Sequence, residues 1–204
     1  MKIKAEGLGK KFVRDWIFRN VDLELEIGRK YAITGGNGSG KTTLLKTLAG
    51  VMPQTEGTLL YEAEGRQVSA DHIYSHLTIA GPYTEVIEEF TLTELLDFYQ
   101  NFKPLSKSTG EIIDLLGYQR SKDKMIRDFS SGMKQKLKLA LTFYSQGEII
   151  MLDEPTSNLD HQNIEWYLAI ATQPMPDKLV LICSNQPYEY EFCNEIISVN
   201  NYKR

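Results

Sequence analysis

The sequence predicts an α/β fold: a mostly parallel sheet between helices, an N-terminal antiparallel β subdomain and a helical insertion. Three observations predict it. Past residue 129, helix-length stretches alternate with short apolar runs, Ile149-Ile150-Met151-Leu152 and Leu179-Val180-Leu181-Ile182-Cys183. That is the pattern of parallel strands covered on both faces. Residues 1–30 carry alternating, β-rich pieces. Between 91 and 126 the period becomes helical, with Leu92, Leu95, Leu96 and Tyr99 and then Ile112, Ile113, Leu115 and Leu116. The expected division is one domain over 1–204, with 1–81 and 129–204 as core plus β subdomain and 82–128 as helical subdomain.

Lys2-Ile3-Lys4-Ala5 opens as a strand, and Val21 to Ile27 alternates apolar and acidic residues as a half-exposed strand does. Gly28-Arg29 turns the chain into the buried strand Tyr31-Ala32-Ile33. A helix over Lys41–Ala49 follows, with Gly50 as its stop. Residues 57–80 are strand-rich, as Thr58–Tyr61 and Ile73–Ala80. After the insertion come a helix near 131–145, a strand at 148–152, a helix near 161–172 and a strand at 178–183.

With 204 residues, 42% of them hydrophobic and 25% charged, the chain suits one globular domain. The net charge of −4 gives no reason to expect a nucleic-acid partner. No apolar run approaches the roughly 18 residues that span a bilayer. The start, Met1–Glu6, lacks a signal-peptide core, so a cytoplasmic location is expected. Cys183 and Cys193 have neither metal nor redox spacing and read as reduced structural thiols. His72 and His76 lie one helical turn apart without a carboxylate or thiol to complete a metal set.

Chemistry enters at Gly35-Gly36-Asn37-Gly38-Ser39-Gly40-Lys41-Thr42. This fits G-x-x-x-x-G-K-[ST], the phosphate-binding loop, and makes the core that of a P-loop NTPase. Glycines let backbone N–H groups close on an anion, and the helix behind the loop aims its positive end at it. Lys41 is placed against the β- and γ-phosphates, and Thr42 on Mg²⁺. Asp153 and Glu154 end an apolar strand at its carboxyl end, where ligands bind in open α/β sheets. Asp153 is expected in the Mg²⁺ shell and Glu154 as the base for the attacking water. A third motif, Phe129-Ser130-Ser131-Gly132-Met133-Lys134-Gln135, opens a helix with a serine N-cap, a potential second anion site.

P-loop, helical insertion, Phe-Ser-Ser-Gly-Met-Lys-Gln, Ile-Ile-Met-Leu-Asp-Glu-Pro and Ser157-Asn158-Leu159-Asp160, in that order, resemble the ATP-binding cassette (ABC) ATPases over nearly the whole chain. The family signature is Leu-Ser-Gly-Gly-Gln; here Phe129 replaces the leucine, Ser131 the first glycine and Met133 the glutamine, while Ser130 and Gly132 match. Ser157–Asp160 resemble the family's D-loop. The resemblance implies an ATPase that powers a separate membrane permease and lies peripherally on the inner face of the cell membrane. It implies ATP and Mg²⁺ as cofactors. A second copy, or a related cassette, would close head to tail. Each ATP would then lie between residues 35–43 of one subunit, Thr43 included, and Ser130, Ser131, Gly132 and Asp160 of the other. Phe12 is the expected adenine-stacking aromatic, with Trp16 its rival. The insertion is where the family docks its permease. The alternative class, ABC ATPases acting on nucleic acid or ribosomes, carries coiled-coil or zinc insertions or paired cassettes that this sequence lacks.

Two family residues are missing. The glutamine that contacts Mg²⁺ and water falls near Pro82, which has no side-chain donor or acceptor; Glu85 is the nearest substitute. The switch histidine position holds Asn185, which donates a hydrogen bond but carries no proton charge near neutral pH. Slow basal hydrolysis is therefore expected.

Overall fold

The computed structural model describes residues 1–203. In chain order its elements are β1 (Lys2–Phe12), β2 (Asp15–Glu26), β3 (Lys30–Thr34), α1 (Lys41–Leu48), β4 (Glu56–Ala63), β5 (Arg66–Val68), β6 (Leu77–Ala80), α2 (Leu92–Gln100), α3 (Thr109–Leu116), α4 (Ser131–Tyr144), β7 (Ile149–Asp153), α5 (His161–Ala171), β8 (Leu179–Ser184) and β9 (Glu195–Ser198). One sheet runs β6-β7-β8-β3-β9 with every pairing parallel; the other runs β2-β1-β4-β5 and is antiparallel.

The apolar runs of β7 and β8 are continuous because both of their faces are covered. Ile149 and Met151 join Leu179, Leu181 and Cys183 in a core shared with α1 and the antiparallel sheet. Ile150, Leu152, Val180 and Ile182 point the other way, against Leu139 and Phe143 of α4 and Tyr167 of α5. Parallel pairing puts the carboxyl ends of three strands at one edge, where Thr34 is in register with Ser184 and Asp153 with Cys183.

The antiparallel sheet is longer than its alternation suggests. β1 and β2 form one hairpin, and register shifts between Ala5 and Leu8 and beyond break the period. Val13 turns it at φ 54°, an uncommon conformation for a β-branched residue. The expected strand from Ile73 starts later: Ile73–Ser75 is a single 3-10 turn and β6 begins at Leu77.

The insertion has its own apolar core, Leu92, Leu95 and Leu96 of α2 with Ile112, Ile113 and Leu116 of α3, closed by Leu137, Ala140 and Leu141 of α4. Capping boxes start both short helices, Thr91 with Glu94 and Ser108 with Glu111. Thus α4 faces the insertion on one side and the sheet on the other. Lys136, far from being a solvated charge, is buried, donates to the Leu116 carbonyl at 3.1 Å and lies over the Trp166 ring.

Candidate nucleotide-binding site

The loop between β3 and α1 turns where only glycine does so without strain, at Gly38 (φ 72°) and Gly40 (φ 102°). Gly40 is the N-cap of α1 and offers no side chain to it. The first-turn N–H groups of Lys41, Thr42 and Thr43 therefore have no intrahelical partner and face the loop's concavity. Lys41 is 5% exposed and its ammonium folds back onto the carbonyls of Gly35 (2.9 Å) and Gly36 (3.3 Å). Ser39 is buried, with its hydroxyl unpartnered among the described residues.

The P-loop cleft is lined by Ile17, residues 37–43 and Glu154. The Thr42 hydroxyl donates to Asp153 Oδ2 at 2.6 Å, joining residues far apart in sequence. Asp153 is 2% exposed, and its Oδ1 has no partner among the described residues. Burial raises its carboxyl above the ordinary range; the Thr42 hydrogen bond opposes this and the Glu154 charge adds to it. A hydroxyl and an orphaned buried carboxylate oxygen are hard donors, which fit Mg²⁺. Without a cation that carboxylate is a desolvation burden. Asp153→Asn is expected to raise the melting temperature of the nucleotide-free protein, because the amide removes that burden. It should also erase the extra stabilisation that Mg·ATP gives over ATP alone. Thermal denaturation checks both, and a variant still stabilised by Mg²⁺ would contradict the metal assignment.

Glu154 lies at φ 46°, a left-handed outlier at the strand end. Its N–H donates to the Cys183 carbonyl at 2.8 Å, and Glu154 lines the same cleft as Lys41 and Thr42. Asn185, just past β8, donates from Nδ2 to Asn37 Oδ1 at 3.0 Å, closing the far rim of the loop. P-loop, strand-end carboxylates and Asn185 thus converge.

Ser130, Ser131, Gly132 and Asp160 lie elsewhere in the chain. Ser130 caps α4, accepting from the Met133 N–H at 3.2 Å while keeping its own proton to donate. Gly132 fits against the Asn158 carbonyl, where a methyl group would stand only 2.8 Å from the oxygen. Asp160 caps α5 through the Asn163 N–H at 2.9 Å. These exposed segments adjoin one another rather than the P-loop cleft of their own chain.

Phe12 is 45% exposed, so it is not a core residue, and Lys10 stands over its ring. Trp16 lines a cleft with Ile17, Gly38 and Ser39. Near the missing glutamine, Pro82 and Glu85 are exposed, and Glu85 lies by Lys138 of α4. The residue here that lies near Asp153 is Tyr83, which spacing did not single out. A methyl group on Gly81 would sit 3.1 Å from Asp153 Cβ and 3.3 Å from Tyr83 Cζ. The Lys46 ammonium stands 3.5 Å from the Tyr83 ring centroid. Tyr83 is 37% exposed, but partial burial of its hydroxyl end, and then the Asp153 charge, push that hydroxyl above its ordinary pKa.

A family model described as ABC transporter matches residues 18–157. The lantibiotic transport ATP-binding protein SrtF of Streptococcus pyogenes is 29% identical over 170 residues, covering 80% of this chain and 70% of that protein. The cytochrome c biogenesis ATP-binding export protein CcmA of Vibrio parahaemolyticus is 32% identical over 160 residues, covering 77% and 78%. The bacterial ABC transporter cassette MJ0796, in its dimeric structure, superposes with a TM-score of 0.80 at 20% identity over 96% of this chain and 93% of that one, so the two share the fold. Over most of its length, and with its loop and carboxylates gathered at one sheet edge, this chain belongs to the ABC transporter family.

Proposed function

We propose that this chain is the ATP-binding and ATP-hydrolysing subunit of an ABC transporter, powering a separate membrane permease through ATP-driven closure of a two-cassette dimer. The observation that carries the reading is the hydrogen bond from Thr42 to the buried Asp153, whose other carboxylate oxygen is orphaned, at the end of a P-loop whose cleft Glu154 also lines. The loop N–H groups and Lys41 hold the phosphates. Thr42 and Asp153 would hold Mg²⁺, which when bound neutralises phosphate charge. Glu154 takes the proton of the attacking water, and Asn185 donates to the γ-phosphate end. Turnover is slow, because neither Asn185 nor Tyr83 supplies a mobile positive charge there.

Ser130, Ser131, Gly132 and Asp160 complete the site of a second copy. Their exposure, away from their own P-loop, supports this, as does a relative of the same fold, MJ0796, described in dimeric form and in a post-hydrolysis state bound to ADP and Pi. The 82–128 subdomain docks the permease, which keeps the protein on the inner face of the cell membrane. A half-exposed apolar groove between Val86, Ile87, Phe98 and Phe102 supports that surface. No helix among the described residues is long and apolar enough to cross a membrane.

Trp16, rather than Phe12, stacks on adenine. Trp16→Ala is expected to weaken ATP binding about ten-fold, in line with the worth of base stacking, while Phe12→Ala changes it less than about two-fold. Titration with a fluorescent ATP analogue checks the pair, and the reverse ranking would return the role to Phe12.

A further inference from the structure

Glu189 is 2% exposed, in a single 3-10 turn after β8. A buried carboxylate is costly unless paired or densely hydrogen-bonded. It takes part in no ion pair among the described residues. Neutral donors from two separate segments satisfy it instead. Oε1 accepts from the Thr156 N–H at 2.8 Å and from the Thr156 hydroxyl. Oε2 accepts from the Ser184 hydroxyl. Its own carbonyl accepts from Tyr167 of α5 at 3.0 Å, which fixes the turn. Thr156 follows closely on Asp153 and Glu154, and Ser184 directly precedes Asn185.

We infer that Glu189 is a positioning residue for hydrolysis: it clamps Thr156 to Ser184 and so holds Glu154 and Asn185 in one geometry over the P-loop. Four-fold hydrogen bonding of one side chain and its own carbonyl across a low-dielectric pocket fixes the two segments relative to each other. Glu189 touches neither nucleotide nor metal, and acts on rate rather than on binding. Glutamine retains the clamp in weaker form. Its oxygen still accepts from Thr156, its amide donates to the Ser184 oxygen, and the Ser184 proton turns to the Gln186 carbonyl, 3.4 Å away. The inference rests on the ATPase reading above.

The test is single-turnover hydrolysis of Mg·ATP with protein in excess, read beside the Kd of a fluorescent ATP analogue. Glu189→Ala is expected to slow hydrolysis about ten-fold with Kd within about two-fold, and Glu189→Gln to recover most of the rate. Ser184→Ala leaves the Thr156 bonds to Glu189 intact, so its loss acts through Asn185 alone: it should slow hydrolysis in the wild-type chain but add nothing to Asn185→Ala. An unchanged rate in Glu189→Ala and Ser184→Ala, or rate and affinity falling together in both, overturns the clamp. Should Glu189→Ala fail to fold, the Ser184/Asn185 pair decides: additive losses overturn it and non-additive losses support it. A wild-type chain that binds no ATP analogue sinks the ATPase reading itself, whereas binding with hydrolysis indifferent to Glu189 sinks only the clamp.

Discussion

Glu154→Gln is expected to leave ATP bound and to reduce its hydrolysis by roughly 10²–10⁴-fold, the usual worth of a general base. The amide has the same shape as the carboxylate, so the strand end and the hydrogen bond from the residue 154 N–H to Cys183 survive the change. What is lost is the one carboxylate among the described residues that line the cleft with Lys41 and Thr42. Removing one carboxylate next to Asp153 also relieves like-charge repulsion there, so affinity for Mg·ATP holds or rises. Phosphate release and analogue titration on the same preparations check this. Hydrolysis surviving within about ten-fold of the wild type would assign the base elsewhere.

Asn185→His is expected to speed hydrolysis roughly ten- to a hundred-fold, the value of one charge-assisted hydrogen bond of ~1–3 kcal/mol at developing charge. The side chain of residue 185 already reaches the P-loop, through Asn37 at 3.0 Å, so a histidine there starts from the right place. An imidazole adds what the amide lacks, a positive charge when protonated near neutral pH. The gain should therefore be largest below about pH 6.5 and fade as pH rises and the ring loses its charge. Steady-state phosphate release across pH checks this, and an equal rate in variant and wild type at every pH would show that asparagine does not limit turnover.

What the sequence displayed best was local and strongly constrained. The glycines of residues 35–40 announce a loop whatever surrounds them, and β7 and β8 are apolar throughout because a core lies on each face. Long-range or short elements hid. β9 has four residues at a sheet edge, with Ile196 exposed and Ile197 buried, too brief a pattern to show a period. The β1–β2 hairpin is masked by its bulges. Tyr83 takes its place from a turn, in which the Gly81 N–H donates to the Thr84 hydroxyl at 3.0 Å, and from Lys46 on another element. Sequence spacing to the missing glutamine lands one residue away, on Pro82. Glu189 reads as one acid among many until the fold brings Thr156 and Ser184 to it.

Sedimentation of the Glu154→Gln chain with and without Mg·ATP most directly tests whether the P-loop is half of a shared site. With ATP well above its Kd, the mass should double; with ADP, or with ATP on a chain also carrying Ser130→Arg in the segment offered to the second copy, it should stay at one chain. Tight ATP binding by a particle that remains a single chain throughout would contradict the account.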